Sequence, residues 1–285
     1  MINRNILFLG HGYVAQYFCK SYHSDTRLNL AASINHSTDK YFKSSDKITT
    51  INFLELNDCV LDNYTHFVIS IPPFYQRKTD VIIYEFHKYF LNRETPYKLI
   101  YLSSTSVYGD HHGKKVQEGS SLKATSSQGL ARIACEKKYL ELTHNPLANI
   151  FILRLAGIYG DKRSSIPAIR DKVITENKLS NRMISRTHVA DIASIIRELI
   201  LSINLKNQIF NVADNKPCPT NELNDYICEK LLKIAKLPIR EDSKESKHSC
   251  FVRDNKIIDN TKLIEILNYE FIFPSYIEGL RQISK

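Results

Sequence analysis

Gly10, Gly12 and Ala15 stand at the spacing G-x-G-x-x-A, in Gly10-His11-Gly12-Tyr13-Val14-Ala15. That spacing suits the pyrophosphate of a dinucleotide. The first glycine permits a tight turn, and the second lets the backbone approach the phosphates. A small residue at position 15 lets the next helix pack close to a sheet, with its positive N-terminal end toward the phosphates. The pattern needs a strand before it and a helix after it. Here the apolar run Ile6 to Leu9 precedes it and a helical pattern, Tyr13 to Tyr22, follows. The alternative is a turn that serves structure alone. The expected cofactor contacts are Gly10, Gly12, Tyr13, Val14 and Ala15, with Asn35 at the end of the next strand. An acidic residue is expected ~20 residues on, to hold the ribose hydroxyls of NAD. Ser33-Ile34-Asn35-His36-Ser37 stands there instead, with Asp39 a little further along and Lys40 as the nearest cation. The cofactor is therefore expected to be NAD or NADP, with a lean to NADP.

Other reactive residue types point elsewhere or nowhere. Six cysteines are scattered without a C-x-x-C pair, which predicts reduced thiols in the cytoplasm, without a disulfide framework or a zinc site. His111-His112 could bind a metal, but neighbours on one loop rarely ligate an ion alone, so an exposed polar turn is expected and no metal site is assigned. The net charge of +9 comes from lysines and arginines dispersed among acids, with no dense basic stripe, so no nucleic-acid partner is expected. No apolar run approaches the ~20 residues that span a bilayer, and the first is too short for a signal peptide. A small-molecule substrate and a homodimer are the partners to test for.

The elements that must position these residues alternate. Strands are expected at Ile6 to Leu9, Leu28 to Ile34, Ile48 to Phe53, Phe67 to Ile71, Lys98 to Leu102, Ile150 to Leu155 and Gln208 to Val212. Helices are expected at Tyr13 to Tyr22, Thr79 to Leu91, Ser126 to Leu142, His188 to Leu201, Thr220 to Ala235 and Asn260 to Leu267, with a charged loop at Arg240 to His248. Alternation of this kind predicts an α/β fold, a doubly wound parallel sheet of the Rossmann type with a small C-terminal cap. The dinucleotide-binding domain is expected over 1–160. A mixed part over 161–285 is expected to return a helix and a strand to the sheet at about 187–213 and to cap the substrate side.

Several longer stretches carry a resemblance. Tyr101-Leu-Ser-Ser-Thr-Ser-Val-Tyr-Gly109, Phe151-Ile-Leu-Arg-Leu-Ala-Gly-Ile-Tyr-Gly160, Thr187-His-Val-Ala-Asp191, Ile209-Phe-Asn-Val-Ala213 and the segment from Asn260 to Leu280 occur in this order. Together they resemble the extended short-chain dehydrogenases/reductases, the group of NAD-dependent sugar-nucleotide epimerases and dehydratases, over nearly the whole chain. The resemblance implies that Ser104 orients a substrate hydroxyl. It also implies a Y-x-x-x-K pair on the next helix, where tyrosine is the acid/base and lysine tunes it and holds the nicotinamide ribose. This chain has Gln128 and Arg132 at those two places. Glutamine does not exchange a proton near neutral pH, whereas Arg132 keeps its charge and could still hold a ribose or phosphate. Ser70-Ile71-Pro72-Pro73 and Tyr108-Gly-Asp-His-His-Gly-Lys-Lys-Val-Gln-Glu118 resemble an atypical subgroup without the tyrosine, and place Ser70, Ile71 and Pro72 on the cofactor side.

Three further residues carry two readings each. Tyr108 shares the loop of Ser104 and could replace the missing acid, or pack beneath the loop as aromatic residues usually do. His188 could line the substrate side or simply start its helix. Arg154 could meet a phosphate on the substrate side or structure a turn. The chain is thus expected to bind NAD(P) and to act as an oxidoreductase or epimerase on a nucleotide sugar or similar hydroxyl compound. The alternative is a catalytically impaired NAD(P)-binding sensor or interaction protein.

Overall fold

Uninterrupted apolar runs build the buried strands of the main sheet, because a strand covered on both faces needs no polar alternation. In the computed structural model, which describes residues 4–35, 48–171, 182–234 and 254–284, the run Ile6 to Leu9 is wholly buried within β1 (Arg4–Leu9). Six more strands join it: β2 (Leu28–Ile34), β3 (Thr49–Asn52), β4 (His66–Ile69), β5 (Tyr97–Ser104), β6 (Ala148–Leu155) and β7 (Gln208–Val212). Their order is β7-β6-β5-β4-β1-β2-β3. β1 pairs in parallel with both β2 and β4, β2 with β3, and β4 with β5. The order reverses beside β1, so the loop leaving β1 opens at the place where doubly wound sheets bind ligands. That loop is the glycine turn. The expected doubly wound sheet is present.

Four longer helices, α1 (Tyr13–Tyr22), α2 (Val81–Asn92), α3 (Ser127–Glu141) and α4 (Val189–Leu201), and a single helical turn, Asp58–Leu61, alternate with these strands. α2 begins two residues later than the apolar pattern suggests, because Asp80 caps it: its Oδ1 accepts the Ile83 N–H at 2.9 Å. Tyr139 donates to the same carboxylate at 3.0 Å. Burial pushes the Asp80 carboxyl above its ordinary pKa. β3 is shorter than expected, since Asn52 turns the chain by accepting the Leu54 N–H. β5 is longer and runs on to Ser104.

The chain divides into two compact units. The first comprises Met1–Ser103, Leu130–Arg154 and Ile192–Phe210; the second comprises Ser104–Gly129, Leu155–Asp191 and Asn211–Lys285. The core of the first includes Leu7, Phe67, Phe86, Phe90, Leu99 and Ile152. That of the second gathers Tyr159, Ile169, Leu223, Ile227, Tyr276 and Leu280. In the second unit α5 (Ile166–Arg170) precedes α6 (Thr220–Asp225), which continues as a wider π-helical stretch, Tyr226–Leu232, and stops at Lys233 in the left-handed region. α7 (Thr261–Leu267) and α8 (Tyr276–Ile283) follow. α8 was not among the expected helices. Ser275 caps it by accepting the Ile277 N–H at 3.1 Å and is paired with Glu278, a reciprocal cap written in the sequence as S-x-x-E. His36, Ser37, Asp39, Lys40, Cys250 and the charged loop at Arg240 to His248 lie outside the described residues.

Candidate functional site

The glycine turn occupies the end of β1. Gly10 adopts φ +99°, a conformation that favours glycine, and a Cβ there would lie 2.7 Å from Ile71 Cγ1 and 2.9 Å from Ser70 Oγ. Its glycine is therefore required by the fold itself. Gly12 is different. It is exposed, has φ −76°, and a Cβ on it would meet nothing within 4 Å. Packing supplies no reason for glycine at position 12.

Gly12 is also the N-cap of α1, and this helix start has no side-chain cap and no acidic residue in its first turn. An uncapped, acid-free N-terminus presents N–H groups and a positive dipole end to an anion. Val14 and Ala15 are buried beneath it, so the helix seats closely, while Tyr13 is half-buried. The residues present therefore fit the pyrophosphate of a dinucleotide. Ser70 and Ile71, after β4, lie against Gly10; Pro72 is exposed. Asn35 is exposed just past the end of β2. Sequence reasoning missed Ser33, which is buried in β2 and accepts the Gly10 N–H at 2.9 Å. The only available signal was a serine within an apolar strand.

Arg154 is buried far from any role as an exposed anion clamp. It grips Glu136 through Nε at 3.2 Å and Nη2 at 2.8 Å, and Ser103 donates to the same carboxylate at 2.5 Å. Both charged side chains are almost fully enclosed. The guanidinium's charge is thus matched by a carboxylate of α3, and the pair ties β6 to that helix instead of structuring a turn. Arg132, half-buried, donates from Nη1 to the Leu102 carbonyl at 2.6 Å and lies over the Tyr101 ring. That bond fixes its head at the carboxyl end of β5.

The remaining candidates belong to the second unit. Ser104 is half-buried, and its Oγ accepts the Ser106 N–H at 3.2 Å, leaving the hydroxyl proton to donate. Gln128 is half-buried on the first turn of α3. Tyr108 is wholly buried and donates to Asn211 Oδ1 at 2.6 Å. Asn211 is held in turn, donating its N–H to Glu118 Oε1 at 2.7 Å and its amide to the Asp259 carbonyl at 3.0 Å. A phenol enclosed in this way packs the loop, so its placement speaks against a substitute acid.

His188 ends a short strand, Arg186–His188, and accepts the Ala190 N–H on Nδ1 at 3.2 Å. Its ring stacks against Phe273, with centroids 4.0 Å apart, and edge-on to Tyr159. Burial lowers its pKa to about 4, so it is neutral at physiological pH. The sign follows from linkage. Between pH 6.5 and 4 the unfolded chain takes up a proton that the folded chain refuses, so the native histidine costs stability as pH falls. Relative to His188→Gln, the unfolding free energy is expected to drop by up to about 1.4 kcal/mol per pH unit through that window. Urea unfolding of both proteins at several pH values measures it; a difference independent of pH would show that the ring protonates in place.

Elsewhere, His111 Nε2 lies 3.2 Å from the Ser121 carbonyl and the exposed His112 pairs with Asp110. Among the described residues no cluster of three or more His, Cys, Asp or Glu could hold a metal ion, and no helix is long and apolar enough to cross a membrane.

The sequence finds no match among protein-family models or curated proteins. Solved structures do match it. A functionally unknown conserved protein from Silicibacter pomeroyi superposes with a TM-score of 0.83 at 25% identity, covering 99% of this chain and 98% of that one. The UDP-glucose 4-epimerase of Thermotoga maritima, solved with UDP-glucose, gives 0.78 at 16% identity over 98% and 97% of the two chains. The UDP-glucuronic acid 4-epimerase of Bacillus cereus, in complex with UDP-glucuronic acid and NAD, gives 0.73 at 15% identity over 98% of each. The chain has the fold of the extended short-chain dehydrogenases/reductases, the NAD-dependent epimerases and dehydratases among them.

Proposed function

We propose that this chain binds NAD(P) at its glycine turn and is an epimerase/dehydratase-like protein for a nucleotide sugar or similar hydroxyl compound. The observation that carries the reading is Gly12, a glycine that the fold itself does not require, at an uncapped helix N-terminus. The structural neighbours solved with NAD and UDP-sugars support the ligand classes. Bound there, the nicotinamide supplies a hydride acceptor and donor. The chain's own residues divide the remaining work. Gly10, Gly12 and the first turn of α1 hold the diphosphate, with Tyr13, Val14, Ala15, Asn35, Ser70, Ile71 and Pro72 around the cofactor. Arg132 contributes positive charge near the end of β5. Ser104 donates a hydrogen bond that orients the substrate hydroxyl.

With no carboxylate at Asn35 to repel a 2′-phosphate, NADP is expected to bind at least as well as NAD. A tenfold preference for NAD, about 1.4 kcal/mol, contradicts this. Proton transfer is the weak step. Gln128 cannot titrate, and positioned acid–base help is worth ~10²–10⁴-fold, so turnover is expected to be absent or slow. Stopped-flow absorbance of the reduced cofactor, with a panel of nucleotide sugars and simple carbonyls, tests the turnover, and equilibrium titration of the two dinucleotides tests the preference. Rapid turnover that survives Ser104→Ala would place the chemistry elsewhere. Absent turnover with intact dinucleotide binding would leave cofactor binding in place and count against the nucleotide-sugar chemistry.

A further inference from the structure

Gly10 is held from both sides, by one serine within β2 and one just after β4, the two strands flanking β1. β1 ends at Leu9, and at φ +99° Gly10 turns away from the strand. Its N–H donates to Ser33 Oγ at 2.9 Å, from the next-to-last residue of β2. Its carbonyl accepts from Ser70 Oγ at 2.8 Å, from the residue just after β4. Ser70 is itself tied down, because its own N–H donates to the Leu9 carbonyl at 3.0 Å. Two side chains thus carry the hydrogen bonding past the point where the backbone of β1 leaves the sheet.

A glycine turn costs more to order than any other, since glycine has the widest conformational range to lose. A turn that must present N–H groups to a diphosphate will bind weakly if only a fraction of molecules hold the right geometry, and the apparent affinity falls by that fraction. Ser33 is 2% exposed, so water does not readily replace its hydroxyl at the Gly10 N–H. Serine also suits the place chemically. It accepts the N–H without adding a negative charge beside an anion, as a carboxylate would.

We propose that Ser33 and Ser70 are positioning residues for the dinucleotide: by fixing the two polar groups of Gly10 they set the entry of α1 in its binding geometry before the ligand arrives. This rests on the reading that the glycine turn binds NAD(P). Neither serine needs to touch the ligand. Their contribution lies in preorganisation, and it has a kinetic signature. Loosening the turn lowers the fraction of competent molecules, so association slows while dissociation of the bound complex changes little.

The test is NADPH and NADH binding followed by nicotinamide fluorescence, at equilibrium and by stopped flow, on the unmodified chain and on Ser33→Ala, Ser70→Ala and Ser70→Thr. Each alanine variant is expected to raise Kd about three- to tenfold, with the loss carried by the association rate. Ser70→Thr keeps the hydroxyl and is expected to bind like the unmodified chain. Thermal unfolding of each variant accompanies the titration. If the unmodified chain binds neither dinucleotide, the underlying reading fails and this inference with it. If it binds and both alanine variants bind equally well, the inference alone is overturned. It is likewise overturned if the loss appears in the dissociation rate, or if Ser70→Thr binds as weakly as Ser70→Ala.

Discussion

Arg154→Met is expected to lower the unfolding free energy by about 3–5 kcal/mol. The guanidinium and the Glu136 carboxylate enclose each other, with Nη2 to Oε2 at 2.8 Å and both side chains at most 4% exposed. Removing the cation leaves a carboxylate buried without its counter-charge, and that desolvation is what costs. Ser103 keeps donating to Glu136 but cannot replace a positive charge. Replacing both partners, in Arg154→Met/Glu136→Leu, is expected to recover most of the loss, because an apolar pair leaves no stranded charge. Urea unfolding of the two variants decides it. A loss under about 1 kcal/mol in the single variant would mean that the pair opens to water, as exposed pairs do. Ser103, at the end of β5 beside Ser104, is tied to the same carboxylate.

The second large effect is on binding and not on stability. Gly12→Val is expected to weaken dinucleotide binding by roughly hundredfold or more, about 2.8 kcal/mol, while the protein unfolds at nearly its original temperature. Its backbone has an ordinary φ of −76° and a Cβ would enter open space, so the chain tolerates the side chain. The ligand does not, because the valine stands where the diphosphate must approach the α1 N-terminus. Gly10→Val offers the contrast. There a Cβ meets Ile71 at 2.7 Å in a conformation that L side chains rarely adopt, so stability and binding are expected to fall together. A Gly12→Val protein that binds as well as the original would move the dinucleotide away from the turn.

The parts of the fold legible in the sequence are those that local pattern determines. The glycine turn, the buried run of β1 and the amphipathic helix after it follow from spacing alone, and so do β2 and β7, whose bounds match. Turn chemistry shifted other ends by a residue or two, as Asp80 does at α2 and Asn52 at β3. α8 carried a readable S-x-x-E cap, but its apolar face is short and follows a segment that reads as loop. Pairings distant in sequence left no local mark. Glu136 and Arg154 are 18 residues apart, Gly10 and Ser33 are 23 apart, and Tyr108 and Asn211 are 103 apart. No periodicity announces such partners. At Tyr108 and His188 the sequence offers two readings each, and neither the burial nor the hydrogen-bond partner of these side chains is written in it. Ser33 escaped notice because attention at the end of β2 goes to the ribose, whereas this hydroxyl points back to Gly10.

Dinucleotide binding at the glycine turn is the claim on which the rest depends, and titration calorimetry of the unmodified chain with NAD(H) and NADP(H) tests it most directly. The expected result is saturable binding of one dinucleotide per chain, with NADP(H) at least as tight as NAD(H). The absence of binding heat for all four ligands at millimolar concentration, in protein shown to be folded, would contradict it.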